Sequence, residues 1–208
     1  MIHLSYFLSS MTPAYGGEEN AVKTEMIRSI AKGDNTNNLL ISFPAHIGTH
    51  VDFPFHFSNS GKTCSDYTAS FWIFQKIGII ESSVEDVPKE IEKLSEDIEL
   101  LIWKTGFSKY RGENRFWMEQ PVVPANYAKL FRDRFRQLRV FGFDMISLTS
   151  KLDRLEGRLA HQQFLLEHEI LVLEDMKLDQ LNFTPKTVII APLLVEHADG
   201  APCHVIAW

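Results

Sequence analysis

Three imidazoles and a carboxylate fall within eleven residues of this chain, His46-Ile47-Gly48-Thr49-His50-Val51-Asp52-Phe53-Pro54-Phe55-His56. Neutral imidazole nitrogens and a carboxylate oxygen suit a borderline divalent ion, zinc first, with manganese or iron also able to accept the set. Any chemistry is expected here. His50, Asp52 and His56 occupy even positions while Val51, Phe53, Phe55 and Phe57 occupy odd ones, the two-residue period of a strand with one polar and one apolar face. Pro44, Gly48, Thr49, Val51 and Pro54 all oppose a helix, so His46 and His50 are not read as a helical i, i+4 pair. His46 is expected to reach the site around a bend at Gly48. At roughly 3.3 Å per residue, His50 and Asp52 start about 7 Å apart and can share an ion. His56 starts about 13 Å beyond Asp52, too far to join them unless Pro54 bends the chain, so a base beside the ion is its better role. A lone histidine on such a strand would more simply be a hydrogen-bonded core residue; three with an aspartate outweigh that reading.

Two residues of the second half could complete the ligand shell. Glu174 directly follows the apolar run Ile170–Leu173, where a carboxylate is costly without a metal or donor, although a solvated strand end would cost little. His161 and His168 lie seven residues apart on one helical face, and either could face the pocket. His3, His197 and His204 carry no assigned role. Phe53, Phe55, Trp72 and Trp117 are candidates to line an aryl pocket, although each alone is better explained by core packing.

The elements that must position these groups alternate between strand and helix in the second half only. Residues 71–80 read as a buried strand, 88–94 as a helix begun by a proline, and 99–107 as another strand followed by a polar and aromatic loop at 108–120 that could cover a site. Helical spacing over 124–138 leads into the strand RVFGFDMIS, a helix over 155–168 leads into EILVLEDM, and KTVIIAPLL at 186–194 gives a last strand. The opening is extended to Leu8 and turns at Pro13, Gly16 and Gly17. This pattern predicts an α/β fold with a mixed sheet and a barrel-like core flanked by helices, rather than a doubly wound parallel sheet.

With 208 residues, 45% of them apolar and 23% charged, the chain is expected to form one domain over residues 1–208. The net charge of −6 and the absence of a strongly basic stretch beyond RFRQLR at 134–139 argue against nucleic acid as a partner. The start MIHLSYFLSS lacks a basic leader and no apolar run approaches a membrane span, so a cytoplasmic protein without membrane contact is expected. Cys64 and Cys203 stand alone, which excludes a CxxC zinc or redox site.

The segment HIGTHVDFPFH resembles the HxGTHxDxPxH signature of the cyclase family of metal-dependent hydrolases, which includes bacterial kynurenine formamidase and isatin hydrolase. Every fixed position is present, as His46, Gly48, Thr49, His50, Asp52, Pro54 and His56. LLIWKTGF, FGFDMIS and AHQQFLLEHEILVLED resemble further family segments in the same order, so the likeness runs over nearly the whole chain. It implies metal ligands at His46, His50, Asp52, His161 and Glu174, with Asp52 able to bridge two ions, and His56 as the catalytic base. It also implies one or two divalent ions per chain, with zinc ahead of manganese, and a homodimer or larger oligomer such as a tetramer. One departure is Thr149, where family members often carry Asp two residues after the Ser of the Gly-x-Asp-x-x-Ser segment. The function so implied is hydrolysis of an amide bond of a small aromatic substrate by metal-activated water, in the manner of an arylformamidase. Alternatives are a cyclase, a dehydratase or a lactam hydrolase of secondary metabolism on the same scaffold, or a metal-binding protein without turnover. A Ser-Lys hydrolase suggested by Ser29-x-x-Lys32 and Lys104-Thr105-Gly106 is set aside because the Ser-Asp-Asn element between them is absent.

Overall fold

The computed structural model describes residues 1–208. In chain order the strands are β1 Ile2–His3, β2 Lys23–Arg28, β3 Asn38–Ser42, β4 His50–Asp52, β5 Ile73–Phe74, β6 Ile77–Glu81, β7 Leu100–Lys104, β8 Val140–Phe143, β9 Leu171–Glu174, β10 Val188–Pro192 and β11 Gly200–Ala207. The helices are α1 Val87–Ile91, α2 Arg115–Met118, α3 Tyr127–Arg134 and α4 Arg154–Gln162.

β6, β7, β8 and β9 are parallel neighbours. Parallel strands need crossover connections, and α1, α3 and α4 lie in the three crossovers that join them. Helices on the sheet explain why these strands read as near-continuous apolar runs instead of alternating ones. Phe141 of β8 stacks on Phe164 at 5.2 Å and meets Phe131 of α3 edge-on at 5.0 Å, all three fully buried. Burying such side chains contributes about 1.5–3 kcal/mol each and seats the helical layer on the sheet.

Beyond β9 the sheet continues antiparallel through β4, β11, β10 and β5, with β1 added to β11. β5 and β6 therefore stand at opposite ends of the strand order, yet only Gln75 and Lys76 separate them in the chain. The sheet must curl until its two ends meet, which gives a mixed α/β fold with a nearly closed, barrel-like sheet. The same corner corrects the reading of 71–80 as one strand: a 3-10 turn at Ala69–Trp72 and the break at Gln75-Lys76 divide it.

Other departures are local. The loop at 108–120 contains the 3-10 turn Phe107–Tyr110 and α2. The helix expected over 155–168 becomes a π turn at Gln163–Glu167 after α4. β11 and the β2–β3 hairpin were not expected; the hairpin pairs only with itself. No helix is long and apolar enough to cross a membrane.

Candidate metal centre

Backbone register brings the first four groups together. In the antiparallel β4–β9 pair His50 lies opposite Glu174, and Asp52, two residues on, points to the same face. Gly48 takes φ +58°, the left-handed bend that returns His46 to this face. α4 delivers His161 from above. All four of His50, Asp52, His161 and Glu174 are buried.

They form a closed ring of alternating imidazole and carboxylate. His50 Nε2 lies 3.4 Å from Asp52 Oδ1 and 3.4 Å from Glu174 Oε2, and His161 Nε2 lies 3.3 Å from Asp52 Oδ2 and 3.4 Å from Glu174 Oε1. These separations are long for hydrogen bonds; with one donor atom taken from each residue, Asp52, His161 and Glu174 make one compact group and His46, His50 and Asp52 another. The other ring nitrogens are spoken for: His50 Nδ1 donates to the Gly48 carbonyl at 2.8 Å and His161 Nδ1 to the Gly157 carbonyl at 2.9 Å. Such tethers fix the tautomer and aim each Nε2 lone pair into the ring, as they do for zinc-binding histidines. The donor set fits a divalent ion.

His46 sits outside this ring. Its Nδ1 is 2.8 Å from Asp52 Oδ1 and its Nε2 is 2.9 Å from Asp199 Oδ2; Asp199 also accepts from His56 Nδ1 at 3.1 Å. Burial opposes a charge on His46, but the hydrogen bonds and charges of Asp52 and Asp199 outweigh it and raise its pKa to about 9. Burial likewise works against His161, and Asp52 and Glu174 raise it to about 10; His50 is raised by the same balance. Burial alone would push the Asp52 carboxyl up, yet hydrogen bonds from His161, His46 and His50 hold it well below the usual carboxylate range. Asp199, opposed only by partial burial, is also lowered by His46 and His56. Without an ion, the carboxylates thus favour protonated His46 and His161.

His56 does not continue the strand. Pro54 opens a 3-10 turn, Pro54–His56, that swings the imidazole back until its ring centroid is 3.9 Å from that of His46 and 6.4 Å from that of His161. The bend at Pro54 overrides the straight-strand distance. His46, His56 and Asp199 form a further group of potential ligands, on the exposed side of His46.

A shell of polar contacts holds the centre. Glu174 Oε1 accepts from the Leu148 amide at 2.6 Å. The next residue, Asp175, takes φ +48° and ends β9; its buried carboxylate is gripped by Arg111 through Nε at 2.8 Å and Nη2 at 2.7 Å, and Arg111 in turn lies over the Tyr6 ring at 3.8 Å. Gln120 donates to the Ser147 and Thr149 carbonyls at 2.6 and 3.1 Å, and Thr149 Oγ1 is 3.1 Å from His161 Nδ1. The 108–120 loop therefore braces the site through Arg111 and Gln120. A Cβ on Gly200 would come within 2.4 Å of the His46 ring, so a bare backbone is required there.

The centre opens on a cavity of about 350 Å³ lined by His46, His50, Asp52, His56, His161 and Glu174 together with Pro13, Tyr15, Ile47, Phe57, Ile146, Ser147, Thr149, Arg154 and Arg158. None of the four aromatics expected to line it does so. Phe53 and Trp72 are core residues, packed edge-to-face at 6.2 Å; Phe53 is there because its strand position faces the apolar side of the sheet. Phe55 points outward from the 3-10 turn and is 37% exposed. Trp117 packs beneath Gly17 with Lys151 over its ring at 4.1 Å, in a different depression. The aromatic walls are Tyr15 and Phe57, the latter stacked on His161 at 4.8 Å. Asp199 gives no local pattern, since a single loop aspartate has none. Arg154 and Arg158 were findable, standing seven and three residues before His161 on one helical face.

Comparisons with known proteins converge. The putative cyclase family matches residues 2–150. Kynurenine formamidase of Bacillus anthracis is 30% identical over 184 residues, covering 88% of this chain and 85% of the relative, and that of Bacillus thuringiensis (strain Al Hakam) is 32% identical over 174 residues, covering 83% and 79%. Among solved structures, isatin hydrolase A from Labrenzia aggregata bound to benzyl benzoate superposes with a TM-score of 0.80 at 19% identity, covering 99% of this chain and 92% of that one. A potential metal-dependent hydrolase with cyclase activity gives 0.75 at 19% identity, covering 99% and 96%. These likenesses extend the match across the fold, and the family match with the relatives at 30–32% identity places the chain in the cyclase family.

Proposed function

We propose that the chain is a metal-dependent hydrolase that cleaves an amide bond of a small aromatic substrate, as an arylformamidase does. The observation that carries this reading is the buried set of His50, Asp52, His161 and Glu174, whose tethered Nδ1 atoms leave both Nε2 atoms facing the Asp52 and Glu174 carboxylates beside a cavity. The kynurenine formamidase relatives support the same chemistry. Zinc is the proposed ion, held by Asp52, His161 and Glu174; His46, His50 and Asp52 offer donors for a second.

A bound divalent ion would supply Lewis acidity, bringing a water toward ionisation near neutral pH and polarising the scissile carbonyl. The Asp199 carboxylate accepts from His56 Nδ1, which leaves Nε2 as the ring nitrogen available to a substrate or water. His56 Nε2 takes the proton of the attacking water and returns it to the leaving nitrogen. Asp199 fixes the orientation of His56 and supports the imidazolium as it forms. Tyr15, Phe57 and Ile146 give the cavity an apolar wall for an aryl group.

The test is turnover of N-formylkynurenine by chelator-stripped protein reloaded separately with zinc and with manganese. Turnover restored by metal supports the reading. No turnover at stoichiometric metal overturns it and directs the search to lactams or to a role without turnover.

A further inference from the structure

We propose that Arg154 and Arg158 form an anion subsite at the mouth of this cavity, so that the substrate carries a carboxylate remote from its scissile amide; the amide itself rests on the hydrolase reading above. Arg154, Arg158 and His161 are spaced i, i+4 and i+7 on α4. At 1.5 Å per residue, Arg158 stands about 4.5 Å and Arg154 about 10.5 Å along the helix axis from the histidine. Both arginines line the cavity and are exposed, and neither has a carboxylate within 4.0 Å or any side-chain hydrogen bond.

The helix gains nothing from this placement. Arg154 is its first residue, where the macrodipole disfavours a cation, and two like charges at i, i+4 repel. The acids nearest in sequence are committed elsewhere: Asp153 caps the Glu156 amide at 3.0 Å and Glu156 accepts from the Ala125 amide at 2.7 Å. An anion seated between the two guanidinium groups would offset both penalties, and a carboxylate matches the planar fork of donors that each presents.

The cavity is polarised accordingly. Asp52 and Glu174 lie at its floor and the two arginines lie on the helix that forms one side of its mouth. With Tyr15, Phe57 and Ile146 as apolar lining, the complementary molecule has an uncharged amide for the floor, an aryl or alkyl body, and a carboxylate for the arginines.

Two measurements on the zinc-loaded enzyme test this, comparing wild type with R154Q, R158Q and the double variant. The first is the ratio of kcat/KM for 4-(2-formamidophenyl)-4-oxobutanoate to that for its neutral primary amide, which differ in the carboxylate alone. Wild type is expected to favour the carboxylate substrate, and the double variant to lower the ratio tenfold or more. The second is calorimetric binding of 3-benzoylpropionate against its neutral amide, which needs no turnover; the double variant is expected to weaken the acid by about tenfold relative to the amide. An unchanged ratio, or equal affinities for acid and amide in wild type, overturns the subsite. If neither formamide is hydrolysed, the hydrolase reading fails and the binding arm alone decides the arginine assignment.

Discussion

His50 and Glu174 stand directly opposite each other across the β4–β9 pair, with Nε2 3.4 Å from Oε2. That single register places an imidazole and a carboxylate from segments more than a hundred residues apart on one side of the sheet. Glu174→Gln keeps the volume and an oxygen for the Leu148 amide but removes the charge. The folded state should survive, while zinc affinity falls at least about 100-fold, since a neutral amide is a poor ligand for the ion. Competition against a chromophoric chelator measures this; zinc held as tightly as in wild type would remove Glu174 from the ligand set.

His56 is separable from the metal. Its side chain is 33% exposed and is held by Asp199, not by the buried ring. His56→Ala should retain stoichiometric zinc and lose roughly 10²–10⁴-fold in kcat, the usual contribution of a positioned general base. Metal analysis beside steady-state kinetics separates the two effects, and loss of zinc in this variant would make His56 a ligand instead.

Part of the candidate site was legible in the sequence because its signals are local. His50 and Asp52 share a strand face by parity, and Glu174 is a carboxylate at the end of an apolar run. Parity also betrayed the aromatics: the alternation that aims His50 and Asp52 at the cavity sends Phe53 into the core. What strand reasoning could not supply was the 3-10 turn at Pro54, which gave His56 a different direction, and the pairing of β4 with β11, which carries Asp199 to His46. β11 itself escaped notice because Gly200, Pro202, Cys203 and His204 dilute its apolar alternation.

Protonation of the metal-free centre gives a pH dependence with a definite sign. Burial lowers the imidazole pKa values, but the carboxylates prevail, leaving His46 at about 9 and His161 at about 10, above the unfolded value of 6.5. Groups raised in this way contribute stability that is fully present below about pH 6.5 and lost as pH rises through their folded values. Chelator-treated protein should therefore melt at progressively lower temperature between pH 7 and pH 10. Zinc must displace those protons, so its apparent affinity should rise over the same interval and the loaded protein should show the smaller decline. Melting curves at pH 6.5, 8 and 10 with chelator or zinc test both statements; a metal-free protein that grows more stable with pH contradicts the assignment.

The β2–β3 hairpin makes the last prediction. Every residue of both strands is exposed, including Met26, Ile27, Leu39, Leu40 and Ile41, and neither strand pairs with the main sheet. An isolated two-stranded ribbon is marginal in water, and this one is apolar on both faces with two unpaired edges. A second copy of the chain would cover it, which agrees with the homo-oligomer that the sequence resemblance implies. Met26 and Leu39 lie opposite each other in the hairpin register, so M26E combined with L39E places two like charges side by side on one face without touching the core. Light scattering after size exclusion should give a dimer or tetramer for wild type and a smaller species for the double variant, with the zinc content of each chain unchanged. A wild-type protein that is monomeric at micromolar concentration would leave the hairpin without this partner.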